Sequence, residues 1–232
     1  MNIINIRLLL LTLVLLLVKA FLSIMSFFSA DKELLYQNAI GSIMDKISAA
    51  SGIKTVVTGS ENLRPEEGAL IVANNKGDFY FGSIFPMFPK DKKVYIVADY
   101  SVFSFPFSLF TKEAGYLKIG KDPSAEQAND ILRIIKALKS GKTVFIFINL
   151  INRYESLADV SADGASYIAL MANKPVIPVG MSHKEGKNKE TVVNITIGER
   201  IYLDGNASDD ISIKQNSEVI IKKIEGLITP EI

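Results

Sequence analysis

The 232 residues suffice for one anchored globular domain, and apolar residues make up 48% of them. Lys+Arg 26 against Asp+Glu 25 leaves a formal net charge of +1, so no global field steers the chain toward nucleic acid. The absence of cysteine excludes disulfides, thiolate catalysis and Cys-based metal centres, and the single histidine, His183, excludes a multi-histidine metal site.

The apolar excess sits at the N-terminus. The run Leu8–Ala30, LLLLTLVLLLVKAFLSIMSFFSA, is interrupted only by small hydroxyl residues and Lys19. As a helix it would be roughly 35 Å long, enough to cross a hydrocarbon core of about 30 Å. Lys19 would cost about 3 kcal/mol at mid-bilayer, while each Leu returns only a few tenths. The aliphatic stretch Leu8–Val18 still favours insertion, with Lys19 snorkelling toward the interface. A secretory signal is disfavoured because Phe28 stands where a small residue is needed and no A-x-A pattern occurs. A buried core helix would need a large core around Leu on every face. Residues 1–30 are therefore expected to be a membrane anchor that spans the bilayer or lies in one leaflet, and residues 31–232 the domain it carries. Arg7 before the run and Lys32 after it give only a small charge difference from which to read topology.

Residues 31–50 (DKELLYQNAIGSIMDKISAA) have apolar positions at helical spacing behind Asp31, an N-cap residue. Short β-branched runs follow at Lys54–Val57, Ala69–Ala73, Val94–Ala98, Tyr116–Ile119, Thr143–Phe147, Val176–Val179 and Val192–Ile197. Helical stretches fall between several of them, the clearest being Ala125–Lys139, with Ala128, Ile131, Leu132, Ile135 and Leu138 apolar. Ile213–Ile228 reads as a closing amphipathic helix. This order predicts a layered α/β fold whose sheet is largely parallel and flanked by helices.

Ser140-Gly141-Lys142-Thr143 looks like the end of a phosphate-binding loop, but Lys136 stands where that motif needs glycine, and the segment joins a helix to a following strand. It is read as a glycine C-cap and a turn. Asn194-Ile195-Thr196 and Asn206-Ala207-Ser208 are glycosylation sequons only if the domain is extracellular, and the first falls in a predicted strand.

From residue 69 to 197 the features become specific in their order. GALIVANNKGDFYFG is a strand running into a polar turn, and KKVYIVADYSVFSFPFSLFTKEAGYLKIGKD carries a Lys-led strand, an aromatic and proline segment, and Gly115 six residues before Lys121. VFIFINLINR, DGASYIALMANKPVIPVGM and Ile197-Gly198-Glu199-Arg200-Ile201 follow. In this arrangement the chain resembles the lysophosphatidic acid acyltransferases, the phospholipid/glycerol acyltransferase family. That family carries Asn-His-x-x-x-x-Asp, Gly-x-x-x-x-x-Arg, Ile-Phe-Pro-Glu-Gly-Thr-Arg, a Lys-Gly-Ala helix with a Val-Pro-Ile-Val-Pro-Val strand, and Ile-Gly-Glu-Pro-Ile at the matching places. The resemblance implies the family's α/β fold and a place in glycerophospholipid biosynthesis. It implies lysophosphatidic acid or a similar lysolipid as acceptor, acyl-CoA or acyl-carrier protein as donor, and no cofactor. It further implies membrane lipids as surroundings, at the inner or cytoplasmic membrane with the domain on the cytoplasmic face.

Acyl transfer to a hydroxyl needs a base, a task suited to histidine, with a carboxylate to orient it. The resemblance places Asn75 at the family's base and Tyr80 at its carboxylate. Asparagine has no titratable nitrogen, and a tyrosine with a pKa near 10 cannot stand in for a carboxylate at neutral pH. Asp78 lies two residues off register. On the phosphate side the family's Pro-Glu-Gly-Thr-Arg corresponds to Ile148, Asn149, Leu150, Ile151 and Asn152, with Arg153 one residue late. Lys121 keeps a positive charge at the family's second-block arginine. Lys121, Asn149, Asn152 and Arg153 are therefore the candidate substrate-binding residues, with a solvated surface lysine as the alternative for Lys121. Three readings of Asn75 and Tyr80 stay open: structural residues, lining of a lipid or acyl pocket without chemistry, or a site whose base comes from elsewhere. For that base His183, four residues beyond Val179 and read as a loop residue past a strand end, is the only imidazole. The functional alternatives are acyl transfer and a non-catalytic lipid- or acyl-chain-binding homologue, a pseudoenzyme that regulates a partner.

Overall fold

Alternating apolar runs and amphipathic segments assemble into helix, sheet and helix layers in a computed structural model. It describes residues 3–63, 68–74, 82–99, 108–120, 125–148, 159–185 and 190–228. The helices are α1 (Ile3–Met25), α2 (Lys32–Ala50), the short α3 (Ser108–Thr111), α4 (Ala125–Lys139), α5 (Ala162–Ala172) and α6 (Asp210–Leu227). The strands are β1 (Ile53–Thr58), β2 (Leu70–Asn74), β3 (Val94–Asp99), β4 (Leu117–Ile119), β5 (Thr143–Ile148), β6 (Asp159–Val160), β7 (Val176–Glu185) and β8 (Thr191–Ile197). Every run expected as a strand is one, within a residue or two at its ends, except that β7 continues well past Val179.

The sheet order is β1-β8-β7-β2-β5-β3-β4, with β6 beside β5. Strands β7, β2, β5, β3, β4 and β6 are parallel. The departure from an all-parallel sheet is at one side, where β8 returns antiparallel to β7 and β1 joins β8 in parallel. Strands buried on both faces read as continuous apolar runs, as LIVA in β2 and TVFIFI in β5 do. Alternation sends Ile71, Ala73, Ile96, Phe145 and Phe147 into one core under α1, α2 and the segment Ile84–Phe88. It sends Leu70, Val72, Val97, Val144 and Ile146 into the other, under α4, α5 and α6.

The helix ends follow their sequence signals. Asp31 caps α2 by accepting from the Leu34 N–H at 3.1 Å, and Ser161 caps α5 by accepting from the Gly164 N–H at 3.0 Å. Lys93 reaches Asp31 at 2.8 Å and Glu33 at 3.5 Å, and the Tyr95 hydroxyl donates to Glu33 at 2.5 Å. Burial and the neighbouring carboxylates push the Tyr95 phenol up, so it stays a donor. Gly141, at φ 84, closes α4 with its N–H donating to Leu138 O at 2.9 Å, which bears out the C-cap reading over a phosphate loop. Asn194 of the first sequon lies in β8.

Among the described residues no helix is long and apolar enough to cross a membrane, so the expectation of a spanning helix finds no support. The described side chains of α1 run along the domain instead. Leu22 is buried in the first core, Leu15 and Val18 pack against it, and Ser23 Oγ lies 3.2 Å from the Tyr36 hydroxyl. Lys19 does not snorkel into solvent. Its ammonium pairs with Glu113 at 2.6 Å and sits 4.7 Å from the centroid of the Tyr36 ring. The opposite side, with Leu13, Val14, Leu17, Phe21 and Ile24, is exposed, as are Phe27 and Phe28 at 87% and 82%.

Candidate functional site at the strand ends

The C-terminal ends of the parallel strands define one edge of the sheet, the position where open α/β sheets place their ligands. β2 and β5 end level, with Asn74 opposite Ile148, and β3 and β4 end level, with Asp99 opposite Ile119. Between these pairs the sheet forks. β3 pairs with β5 from Val94 opposite Thr143 only as far as Ile96 opposite Phe145, then turns to β4, and β6 takes the vacated side of β5 at Phe147 and Ile148. The edge is therefore split between a β2–β5–β6 part and a β3–β4 part.

Most of the predicted residues follow these strand ends in sequence. Residues 75–81 continue directly from β2, 149–158 from β5, and 121–124 begin one residue after Gly120, which follows β4. Asn75, Asp78, Tyr80, Lys121, Asn149, Leu150, Ile151, Asn152 and Arg153 themselves lie outside the described residues. His183 is described, and its placement corrects the loop reading. It lies inside β7, opposite Val193 of β8, and is half-buried. Strand alternation puts it on the face of Val179 and Met181, the face covered by α1 and α2. Antiparallel pairing with β8 explains the continuation, because the ladder supplies hydrogen bonds however polar Ser182-His183-Lys184-Glu185 is.

Two residues that shape the edge are not among the candidate site residues. Asn74 is fully buried, its Nδ2 donates to Met181 O at 2.9 Å, and its Oδ1 accepts from Met181 N–H at 2.6 Å. The β2–β7 ladder stops at Ala73 opposite Val179, so the Asn74 amide stands in for one more rung and fixes the point where the chain leaves the sheet. Its signals were that Asn74 is the first polar residue after LIVA and that it stands at the asparagine of the Asn-His pair in the family it resembles. Asp130, also buried, accepts from Gly120 N–H at 3.1 Å and from Arg133 Nη1 at 3.0 Å. It thereby holds the residue just before Lys121 against α4. Its signal was an acid within the apolar stripe of an amphipathic helix.

Among the described residues no cluster of His, Asp and Glu could hold a metal ion. A cleft of about 90 Å³ lies at the other end of the sheet, between α2, Phe85–Lys92 and the start of β3, and takes no part in this edge.

A family profile described as Acyltransferase matches residues 54–182. No curated protein matches the chain. Among solved structures, the crystal structure of the 1-acyl-sn-glycerophosphate (LPA) acyltransferase, PlsC, from Thermotoga maritima is similar at 21% identity and a TM-score of 0.65. That match covers 96% of this chain and 97% of that one. At this identity the likeness speaks for the fold.

Proposed function

The chain belongs to the acyltransferase family, and from that premise we propose that it serves glycerophospholipid synthesis at a lipid surface. In this reading it holds lysophosphatidic acid and an acyl donor, acyl-CoA or acyl-carrier protein, at the strand-end edge without an ordinary catalytic base. The observation that carries the reading is simple. The matched stretch 54–182 contains no histidine, since the only one in the chain is His183. A hydroxyl acceptor must lose its proton during transfer, and neither Asn75 nor Tyr80 can take it at neutral pH.

The scaffold for holding such ligands is supported by the buried clamps Asn74 and Asp130 at the roots of two edge segments. Lys121 keeps a cation beyond β4, with Asn149, Asn152 and Arg153 beyond β5 as its partners in gripping a phosphate. The outward apolar face of α1, continued by Phe27 and Phe28, supports seating on lipid headgroups and acyl chains. Acyl transfer is the second reading, with His183 as base, favoured by its half-buried place on β7 beyond the end of the β2–β7 ladder.

Ligand binding separates the holding role from a mere fold relative. Calorimetric titration of the full chain with lysophosphatidic acid and with an uncharged monoacylglycerol should show preference for the phosphate-bearing lipid. Lys121→Glu should weaken the first roughly tenfold, about 1.4 kcal/mol, and the second little. Equal losses for both ligands would remove Lys121 from the site.

A further inference from the structure

Lys19 is the one charged residue in the Leu8–Ala30 run, and the structure gives it a use unrelated to crossing a bilayer. The other described contacts of α1 with the domain are aliphatic, from Leu15, Val18 and Leu22, together with the Ser23–Tyr36 pair. Aliphatic contacts are non-directional, so alone they let a helix rotate or slide on its seat at little cost. Lys19 adds direction. Its ammonium is held between the Glu113 carboxylate at 2.6 Å and the Tyr36 ring at 4.7 Å, with the Lys19 and Glu113 side chains only 21% and 26% exposed. The lysine stands on the same stripe as Leu15, Leu22 and Ser23, opposite the outward apolar face.

The socket is rigid and leads to the strand-end edge. Glu113 lies in a turn closed by Ala114 N–H to Phe110 O at 3.0 Å and Tyr116 N–H to Thr111 O at 3.1 Å. Gln37 of α2 donates to Ala114 O at 2.8 Å and accepts from Val94 N–H at 3.1 Å, tying the turn to α2 and β3. Gly115 adopts φ 72 with Tyr95 so close that an added Cβ would meet its ring at 2.8 Å, so the turn cannot relax around a larger residue. From Tyr116 the chain enters β4 and, through Gly120, reaches Lys121. A short, well-braced stretch thus joins the partner of Lys19 to the edge proposed to hold the substrate phosphate.

We propose that Lys19 is a positioning residue. Its ion pair with Glu113 over Tyr36 locks the rotation of α1, so that the apolar face is turned to lipid while the strand-end edge is held at one fixed attitude to that surface. The lipid-facing half rests on the function proposed above; the lock itself does not.

The chain has no cysteine, so Phe21→Cys on α1 and Lys184→Cys on β7, both exposed, can carry a unique pair of spin labels in the full chain. Their dipolar distance distribution should be a single narrow peak, in solution and on vesicles of phosphatidylcholine and phosphatidylglycerol. Lys19→Met and Glu113→Gln should each broaden it roughly twofold as the helix samples several seats. Lys19→Arg, which keeps the cation, should restore the narrow peak. Vesicle binding, measured without the label substitutions, should stay within about twofold of the parent for Lys19→Met, Glu113→Gln and Lys19→Arg, because none of these three changes touches the outward face. A narrow peak in Lys19→Met would overturn the lock, as would loss of the cooperative thermal melt in both Lys19→Met and Glu113→Gln, which would make the pair a folding element. Failure of the parent protein to bind vesicles would count against the lipid seat and leave the solution result to judge the lock.

Discussion

Replacing Asn74 by alanine removes two hydrogen bonds at once, because both the N–H and the C=O of Met181 end on this one side chain, at 2.6 and 2.9 Å. Met181 stands opposite Ile195 in the β7–β8 ladder and turns its polar groups toward β2, where the backbone pairing has already stopped at Ala73. In Asn74→Ala these groups have no partner in a position from which water is excluded. Each orphaned group costs about 1–3 kcal/mol, so the pair should lower stability by about 4 kcal/mol. For a domain of this size that corresponds to a fall in Tm of roughly 8–16 °C. Asn74→Asp offers a sharper control. A carboxylate still accepts from the Met181 N–H but turns a second oxygen toward the Met181 carbonyl, so at neutral pH it should cost at least half as much. Circular dichroism melts give the magnitude, and amide exchange at Met181 gives the location. A melt of Asn74→Ala within about 2 °C of the parent, with exchange at Met181 unchanged, would refute the clamp.

Two further outcomes follow from buried and paired groups. The Tyr116 hydroxyl is buried without a hydrogen-bond partner among the described residues, and burial alone pushes its phenol up, so Tyr116→Phe should leave stability unchanged or raise it by up to about 1 kcal/mol; a loss of that size in the melt would mean the hydroxyl has a partner after all. The hydrogen bond from Lys93, then that from Leu34 N–H, holds the Asp31 carboxyl below its usual value. Its stabilisation is thus complete above the unfolded value of about 3.9 and fades as pH falls through the lower folded value. Asp31→Asn keeps a capping oxygen but cannot titrate, so the parent's acid-limb loss should shrink by a few tenths of a kcal/mol, the scale for a surface pair. Identical acid limbs would remove Asp31 from the linkage.

Much of the fold was legible because its signals are local. The period-two runs and the stripe of α4 mark elements whose burial pattern is written residue by residue, and Asp31 and Gly141 mark helix ends by their own chemistry. What was not legible depends on partners far along the chain. β7 was cut short at Val179 because the polar tail through Glu185 is a strand only in the presence of β8. The two-residue β6 has no pattern of its own, and it exists because β3 leaves the side of β5 free. Lys19 read as a cost against insertion because its carboxylate partner, Glu113, lies far along the chain, beyond three strands. The candidate site residues were named through resemblance alone, and most of them follow strand ends in the sequence. The roles of the site's clamps were not legible, since the resemblance matches Asn74 to an asparagine without showing the ladder it completes, and an acid that grips Gly120 looks like any polar residue beside an apolar run.

Transfer itself is the most direct trial of the account. Purified full-length protein in detergent or vesicles is given radiolabelled acyl-CoA, or acyl-carrier protein loaded with the same chain, together with lysophosphatidic acid. Label in phosphatidic acid is then followed over hours. General-base catalysis is typically worth about 10²–10⁴-fold, so its loss is well within reach of such an assay. The account predicts no transfer above the protein-free background, alongside measurable binding of lysophosphatidic acid. Turnover at an ordinary enzymic rate, abolished by His183→Ala, would contradict it and hand the role of base to the chain's one imidazole.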